Sequence, residues 1–102
     1  MGWEELPQFS VSRRNVMRHA PEESGVYGLL VPGKWIYIGQ SFNIQRALLD
    51  YLSGQKPYVL QWQPRLFTFE LQPFKDRVAR QKELVAIYQP VCNRKTQSLT
   101  RS

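Results

Sequence analysis

The sequence predicts a small α/β domain in which a three-stranded antiparallel sheet is flanked by helices, in the order α-β-β-α-β-α. The first observation is a pair of apolar and β-branched segments, residues 25–31 and 35–39, on either side of Pro32-Gly33-Lys34. This pattern is typical of a β-hairpin. The second observation is a helical spacing of apolar residues after Asn43 and again after Asp76.

The chain length limits the number of domains. With 102 residues, of which 42% are hydrophobic, the chain has material for one modest core, so we interpret residues 1–102 as a single domain. Residues 94–102 are polar without an apolar period, and we expect them to form a flexible tail. A single cysteine, Cys92, excludes an internal disulfide and a cysteine zinc cluster. Without a leader-like or membrane-spanning segment, we expect a cytoplasmic protein with no membrane partner.

The first predicted helix begins after Ser12, whose side chain can cap it, and continues to about His19. Val16 and Met17 are expected to point inward. Pro21 stops this helix, because a residue that precedes proline is pushed out of the helical region.

The second helix begins after Asn43, and Gly54 provides its C-terminal stop. Residues 55–64 are predicted to form a loop. Residues 66–71 form the third strand, which Pro73 ends. The apolar face of the second helix consists of Ile44, Ala47, Leu48, Tyr51 and Leu52.

The last helix is predicted from about Asp76 to Tyr88, and Pro90 terminates it. Its inward face is expected to contain Val78, Gln81, Leu84, Val85 and Tyr88. The amide of Gln81 therefore lies in the middle of an apolar stripe and points toward the sheet.

The charge distribution favours a polyanionic partner. The net charge is +6, and because residues 1–23 hold three arginines and four glutamates, the remaining residues carry +7. Cations that neutralise phosphates release counterions and so gain binding free energy. The aromatic residues Tyr58 and Trp62 of the loop could stack on a base. The candidate nucleic-acid-binding cations are Lys56, Arg65, Arg77, Arg80, Lys82, Arg94 and Lys95.

Two short motifs carry the functional information. Gly25-Val26-Tyr27 and Tyr37-Ile38-Gly39 leave nine residues between their tyrosines and lie in the predicted hairpin. Together with Asn43 at a helix start and Asn93 after Pro90, this arrangement resembles the GIY-YIG nuclease family. The resemblance extends to the catalytic domain of GIY-YIG endonucleases and to the N-terminal nuclease module of bacterial excision-repair endonucleases.

The resemblance implies hydrolysis of a phosphodiester, usually in DNA, with one divalent metal ion, Mg²⁺ or Mn²⁺. It places Tyr27 and Tyr37 beside the attacking water, where a tyrosine can act as a base if its pKa is lowered. Tyr51 occupies the position of a tyrosine or histidine late in the first helix of the motif region. Asn93 matches the asparagine that follows the terminal proline.

At two positions the sequence departs from the family pattern. The position of the family's catalytic arginine holds Ala47, and Arg46 is one residue, or about 100° of helix, away. The position of the family's metal-binding glutamate holds Gln81. Glu83 is the alternative metal ligand, although it lies about 200° around the helix from Gln81.

Three functions remain open. In the first, the chain is a nucleic-acid-binding domain with impaired catalysis. In the second, it is an active metal-dependent DNA endonuclease that uses Arg46 and Glu83. The third is a non-catalytic protein-interaction module, such as a homo-oligomer, with Trp3, Trp35 and Trp62 in the interface. The first two predict that one concave surface is lined by Tyr27, Tyr37, Ala47, Gln81 and Asn93.

Overall fold

The computed structural model describes residues 2–93, in which four strands form one antiparallel sheet in the order β1-β4-β2-β3. The strands are β1 (Phe9–Ser10), β2 (Gly25–Val31), β3 (Lys34–Ser41) and β4 (Leu66–Leu71). The helices are α1 (Arg13–His19), α2 (Ile44–Leu52), α3 (Pro57–Leu60) and α4 (Phe74–Tyr88), and a 3₁₀ turn at Trp3–Glu5 precedes them. The antiparallel sheet with flanking helices is therefore confirmed. The predicted tail, with Arg94 and Lys95, lies outside the described residues.

The predicted number of strands is wrong, because β1 adds a fourth. This strand has two residues, and its register pairs Phe9 with Phe67 and Ser10 with Leu66. A two-residue strand is too short to show an alternating pattern. Strand β1 therefore forms because it pairs with β4, and not because of a local preference for strand.

The predicted starts of α1 and α2 are confirmed by their capping bonds. Ser12 Oγ accepts a hydrogen bond from the Asn15 amide at 3.1 Å, and Asn43 Oδ1 accepts one from the Arg46 amide at 2.9 Å. Each bond satisfies a backbone donor that has no partner inside the helix. The prediction that Met17 points inward is wrong, because α1 buries only the face that contains Val16 and Met17 is exposed.

Three segments between the elements differ from the prediction. The predicted loop at 55–64 contains α3, which begins with proline at its first turn and buries Val59. Helix α4 begins at Phe74, directly after Pro73, two residues earlier than expected. The hairpin turn is shorter than expected, because only Pro32 and Gly33 separate the strands, and Gly33 adopts a φ of +81°.

The sheet separates two apolar clusters. One face packs Tyr27, Leu29 and Phe67 against α1 and α2. The opposite face packs Val26 and Ile38 against α4 and the N-terminal 3₁₀ turn, and this second cluster consists of Trp3, Val26, Ile38, Leu84 and Val85. Alternate residues of β2 thus serve different cores, as the two-residue period of a strand requires.

Trp3 is a core residue, which contradicts its proposed place in an intermolecular interface. Only 2% of its surface is exposed, and its indole Nε1 donates a hydrogen bond to Glu70 Oε1 at 2.7 Å. Its ring lies 5.6 Å from that of Trp35. Glycine at position 28 makes room for this pair, since a Cβ there would lie 2.6 Å from Trp3 and 2.9 Å from Trp35.

Helix α4 lies along β3 and contacts it at three levels. Arg77 Nε donates to Gln40 Oε1 at 2.6 Å, Gln81 Nε2 donates to the Ile38 carbonyl at 3.0 Å, and the Tyr88 ring lies 5.1 Å from Trp35. The prediction that Val78 belongs to the inward face is wrong, because Arg77 reaches the sheet at that level and Val78 is exposed.

Within residues 2–93, none of these helices has the length and apolar character needed to cross a membrane.

Candidate active site and nucleic-acid cleft

The two motif tyrosines lie on the same face of the β2–β3 hairpin. Tyr27 pairs with Gly39, and Tyr37 pairs with Leu29, so the two tyrosines are diagonal neighbours with ring centroids 6.1 Å apart. A Cβ at position 39 would lie 2.6 Å from Tyr27 Cζ and 2.8 Å from the Tyr37 ring. Gly39 is therefore a steric requirement, because the Tyr27 ring occupies the space that any side chain there would need.

Burial raises the pKa of both motif hydroxyls above the usual tyrosine range. For Tyr27 the nearby Tyr58 adds to this effect, and for Tyr37 both Tyr27 and Tyr58 do. Burial disfavours the charged phenolate, so the hydroxyls stay protonated at neutral pH. A base would need a lowered pKa. These tyrosines are suited to hold a water or a phosphate oxygen by hydrogen bonds and are poorly suited to remove a proton.

Tyr27 opens into a cleft of about 250 Å³ at the junction of β3 and α2. Ala47 lines the same cleft, which places a methyl group beside Tyr27 at the position where the resemblance expects an arginine. The complete lining consists of Tyr27, Gln40, Ser41, Phe42, Arg46, Ala47, Asp50, Gln55 and Lys56.

Arg46 also lines the cleft, but its side chain is 71% exposed and forms an ion pair with Asp50 at 3.4 Å. An exposed i,i+4 pair of this kind holds the guanidinium only weakly. Arg46 is thus an exposed, weakly held cation at the rim, whereas Ala47 is less exposed.

Tyr51, on the buried face of α2, lies in the core and does not line the cleft. Burial raises the pKa of its hydroxyl, and the nearby Cys92 adds to the shift. Its contribution to the site is the packing that fixes α2.

Gln81 and Asn93 meet at the backbone of Ile38, inside the second motif. Asn93 Oδ1 accepts from the Ile38 amide at 2.8 Å, and Asn93 Nδ2 donates to the Ile38 carbonyl at 2.9 Å. Gln81 Nε2 donates to the same carbonyl. Strand β3 lies at the edge of the sheet, so the amide and carbonyl of Ile38 face no neighbouring strand. The side-chain amides of Asn93 and Gln81 satisfy these two backbone groups instead.

We therefore expect Asn93→Ala to lower the free energy of unfolding by about 1–3 kcal/mol, because it leaves the buried Ile38 amide without a partner. Gln81→Ala serves as the matched control. It should cost less, since the Ile38 carbonyl keeps its bond from Asn93. Urea unfolding measures both values, and an equal loss in the two variants would contradict this assignment.

Glu83 lies on a different side of α4, with its carboxylate paired to Arg80 Nη1 at 2.7 Å. Arg80 also forms two bonds to Glu70, at 2.7 and 2.9 Å. Burial raises the pKa of the Glu70 carboxyl, but hydrogen bonds from Arg80, Trp3 and Gln72 outweigh this and lower it overall. Glu70 belongs to β4, which β2 separates from β3. The Glu83 carboxylate is therefore directed away from Tyr37 and Ile38.

The residues at this site do not fit a divalent cation well. Within residues 2–93, no group of three or more histidine, cysteine, aspartate or glutamate side chains is close enough to hold a metal ion. Gln81 presents a neutral amide whose nitrogen is already bonded, and Mg²⁺ prefers carboxylate and water oxygens. Asp50, the carboxylate of the cleft, is paired with Arg46.

The predicted basic residues are in several different environments. Lys56 lines the cleft with its ammonium 5.6 Å from the centre of the Tyr37 ring, whereas Arg65 and Lys82 are exposed. Arg77 donates to Gln40 and to Ser24 Oγ. The carboxylates of Glu70 and Glu83 already neutralise much of the charge of Arg80.

The expectation of one shared concave surface holds only in part. Tyr27 and Ala47 line the cleft, Tyr37 adjoins Tyr27, and Gln81 and Asn93 act on the intervening backbone of Ile38. Sequence reasoning did not identify Phe42 as a lining residue. The available signal was a phenylalanine that directly precedes a helix-capping asparagine and therefore lies outside the apolar face of the helix.

Comparison with known proteins identifies the fold. No protein-family model matches the sequence, and a search of curated proteins finds no significant match. Solved structures do match. The GIY-YIG N-terminal endonuclease domain of UvrC from Thermotoga maritima, bound to magnesium as its catalytic divalent cation, has 26% identity and a TM-score of 0.69, with 78% of this chain and 91% of that chain covered.

Two variants of the same domain, each bound to its catalytic divalent cation, match similarly. An asparagine-to-alanine mutant has 26% identity and a TM-score of 0.69 over 78% of this chain and 90% of that one. A tyrosine-to-phenylalanine mutant has 24% identity and a TM-score of 0.69 over 78% and 91%. With the paired motifs at Tyr27 and Tyr37 on adjacent strands, these matches show that the chain has the fold of a GIY-YIG endonuclease domain.

Proposed function

We propose that this domain binds nucleic acid, DNA in the first instance, at the cleft beside Tyr27 and has impaired catalytic power. The fold supports a nucleic-acid partner, and the cations Arg46 and Lys56 lie at the cleft where phosphates would bind. The observation that carries the impairment is Ala47, whose methyl group lies where a fixed cation would stabilise the charge that grows in the transition state.

Gln81 supports the same proposal from the other side of β3. Its Nε2 donates to the Ile38 carbonyl, a bond that an ionised glutamate at this position could not make. The amide therefore contributes to the edge of the sheet, and it brings no formal charge to a metal ion.

The alternative of an active nuclease that uses Arg46 and Glu83 has unequal support. Arg46 lines the cleft, which favours it as a phosphate-binding cation. Glu83 is paired with Arg80 near β4, which argues against it as the metal ligand.

We expect a 20-base-pair duplex to bind with an affinity that falls steeply as salt rises. The slope of log K against log salt is about −0.9 for each phosphate contact. Replacing Arg46 and Lys56 together by Ala should make the slope shallower, by about 2 if each cation holds one phosphate. Fluorescence anisotropy over a salt series measures this slope.

A charge-matched control is Arg14→Ala with Arg18→Ala, which removes two exposed cations from α1. This control should keep the parent slope. Arg80 is unsuitable for the test because its loss would also leave Glu70 without its main partner. Binding that does not respond to salt, or no binding at low salt, would contradict the proposed function.

A further inference from the structure

One exposed phenylalanine lines the cleft, and a second is linked to it through Arg77 and Gln40. Phe42 lines it and is 72% exposed. Phe74, at the start of α4, is 77% exposed, and the Arg77 guanidinium lies 4.9 Å from its ring. Arg77 in turn bonds Gln40, another cleft residue. Within residues 2–93 these are the two most exposed large apolar side chains, and Phe42 is the one that lines the cleft.

The backbone holds Phe42 in this exposed position. Ser41 Oγ accepts from the Asn43 amide at 3.0 Å and donates to the Asn43 carbonyl at 2.9 Å. Asn43 is itself fixed as the cap of α2. The backbone at Phe42 is therefore held between two bonded neighbours, and its side chain points outward. An aromatic side chain has only two rotatable bonds, so it loses little conformational entropy on binding.

The cleft combines this aromatic ring with positive charge. Lys56 and Arg46 line the same cavity, and Asp50 offsets only one of the two charges. An aromatic face beside cations is the combination that binds a base by stacking and its phosphates by charge. In a regular duplex both faces of every base are covered by its neighbours, so Phe42 can stack only on a base that has left the stack.

We propose that the cleft takes an unpaired nucleotide of DNA, with its base stacked on Phe42 and its flanking phosphates on Lys56 and Arg46. This assignment rests on the proposed nucleic-acid-binding function and specifies its substrate class as single-stranded or locally unpaired DNA. The cavity of about 250 Å³ is small, which favours a single nucleotide over an intact base pair with both of its strands.

The test compares three fluorescein-labelled probes at one low salt concentration: a blunt 20-base-pair duplex, the same duplex with one bulged 2-aminopurine, and a 12-nucleotide oligo(dT). The bulged and single-stranded probes should bind about tenfold more tightly than the blunt duplex, and the 2-aminopurine fluorescence should be quenched. Phe42→Ala should reduce the affinity for the bulged probe to that of the blunt duplex and abolish the additional quenching.

Three variants separate stacking from general apolar contact. Phe42→Tyr retains a flat aromatic face and should keep the preference, whereas Phe42→Leu should lose it. Ile87→Ala removes an exposed apolar side chain that does not line the cleft, and it should behave as the parent. Circular dichroism of each variant establishes that the fold is intact.

Each other result overturns the assignment in a distinguishable way. Equal affinity for the three probes with no effect of Phe42→Ala contradicts the stacking site and leaves salt-dependent duplex binding standing. No binding of any probe contradicts the proposed function as well. If Phe42→Ala instead changes the molecular mass of the protein measured by sedimentation and has no effect on DNA binding, Phe42 belongs to a contact between copies of this chain.

Discussion

The double variant Ala47→Arg with Gln81→Glu is expected to nick supercoiled plasmid in the presence of Mg²⁺ or Mn²⁺ at least about 100-fold faster than the parent chain. Ala47 and Tyr27 line the same cleft, so an arginine at position 47 would bring its guanidinium into the cleft that Tyr27 lines. Loss of one well-placed electrostatic contact commonly costs roughly 10² to 10³ in rate, and under the proposed function the parent lacks two.

Gln81→Glu alone should first restore metal affinity. An ionised carboxylate cannot donate to the Ile38 carbonyl, which keeps its bond from Asn93, so the glutamate is free to bind a cation. Added Mg²⁺ should then raise the melting temperature of this variant more than that of the parent, because a ligand of the native state stabilises it by mass action. This measurement does not depend on activity.

The control for the nicking experiment is the double variant with Tyr27→Phe, which retains the ring and removes the hydroxyl. A double variant as inactive as the parent, although folded and able to bind Mg²⁺, would contradict the assigned positions. If the parent already cuts and Glu83→Ala abolishes its activity, the chain is an active nuclease that uses Glu83.

The second large effect concerns stability. Trp3→Ala should lower the free energy of unfolding by about 3–5 kcal/mol, because it removes a fully buried indole and leaves a cavity against Trp35. This is a large share of the roughly 5–15 kcal/mol that stabilises a typical domain. Urea unfolding followed by circular dichroism measures the loss.

Two companion variants identify the source of the stability loss in Trp3→Ala. Trp62→Ala, which removes a partly exposed indole near Lys34, should cost less than about 1 kcal/mol. Trp3→Phe should give an intermediate loss, because it keeps most of the packing and removes the hydrogen bond to Glu70. If Trp3→Ala and Trp62→Ala are equally mild, the N-terminal turn contributes little to the core.

The features that could be predicted from sequence are those that local chemistry determines. The caps at Ser12 and Asn43 depend on a side chain reaching its own helix, and the hairpin depends on a turn between two strand-like segments. These features need no knowledge of the rest of the molecule. The assignment of Ala47 and Gln81 to the arginine and glutamate positions comes from the family resemblance and stays a prediction.

The features that were missed depend on contacts between distant segments. Strand β1 exists because Phe9 meets Phe67, and Trp3 is buried because β2 has a glycine at position 28. Apolar spacing indicates which face of a helix is turned inward, but it does not identify the neighbour that the face meets. For the same reason Gln81 was correctly expected to point toward the sheet, whereas its partner, the Ile38 carbonyl, could not be identified.

The amide pair at Ile38 also bears on how this protein avoids self-association. An uncovered edge strand offers its backbone groups to any other chain that can pair with it, which leads to aggregation. In the middle of β3, Asn93 and Gln81 occupy both groups of Ile38, so an incoming strand would have to displace three hydrogen bonds. A glutamate at position 81 would give up one of these bonds. The glutamine therefore gives a better protected sheet edge than a glutamate at this position would.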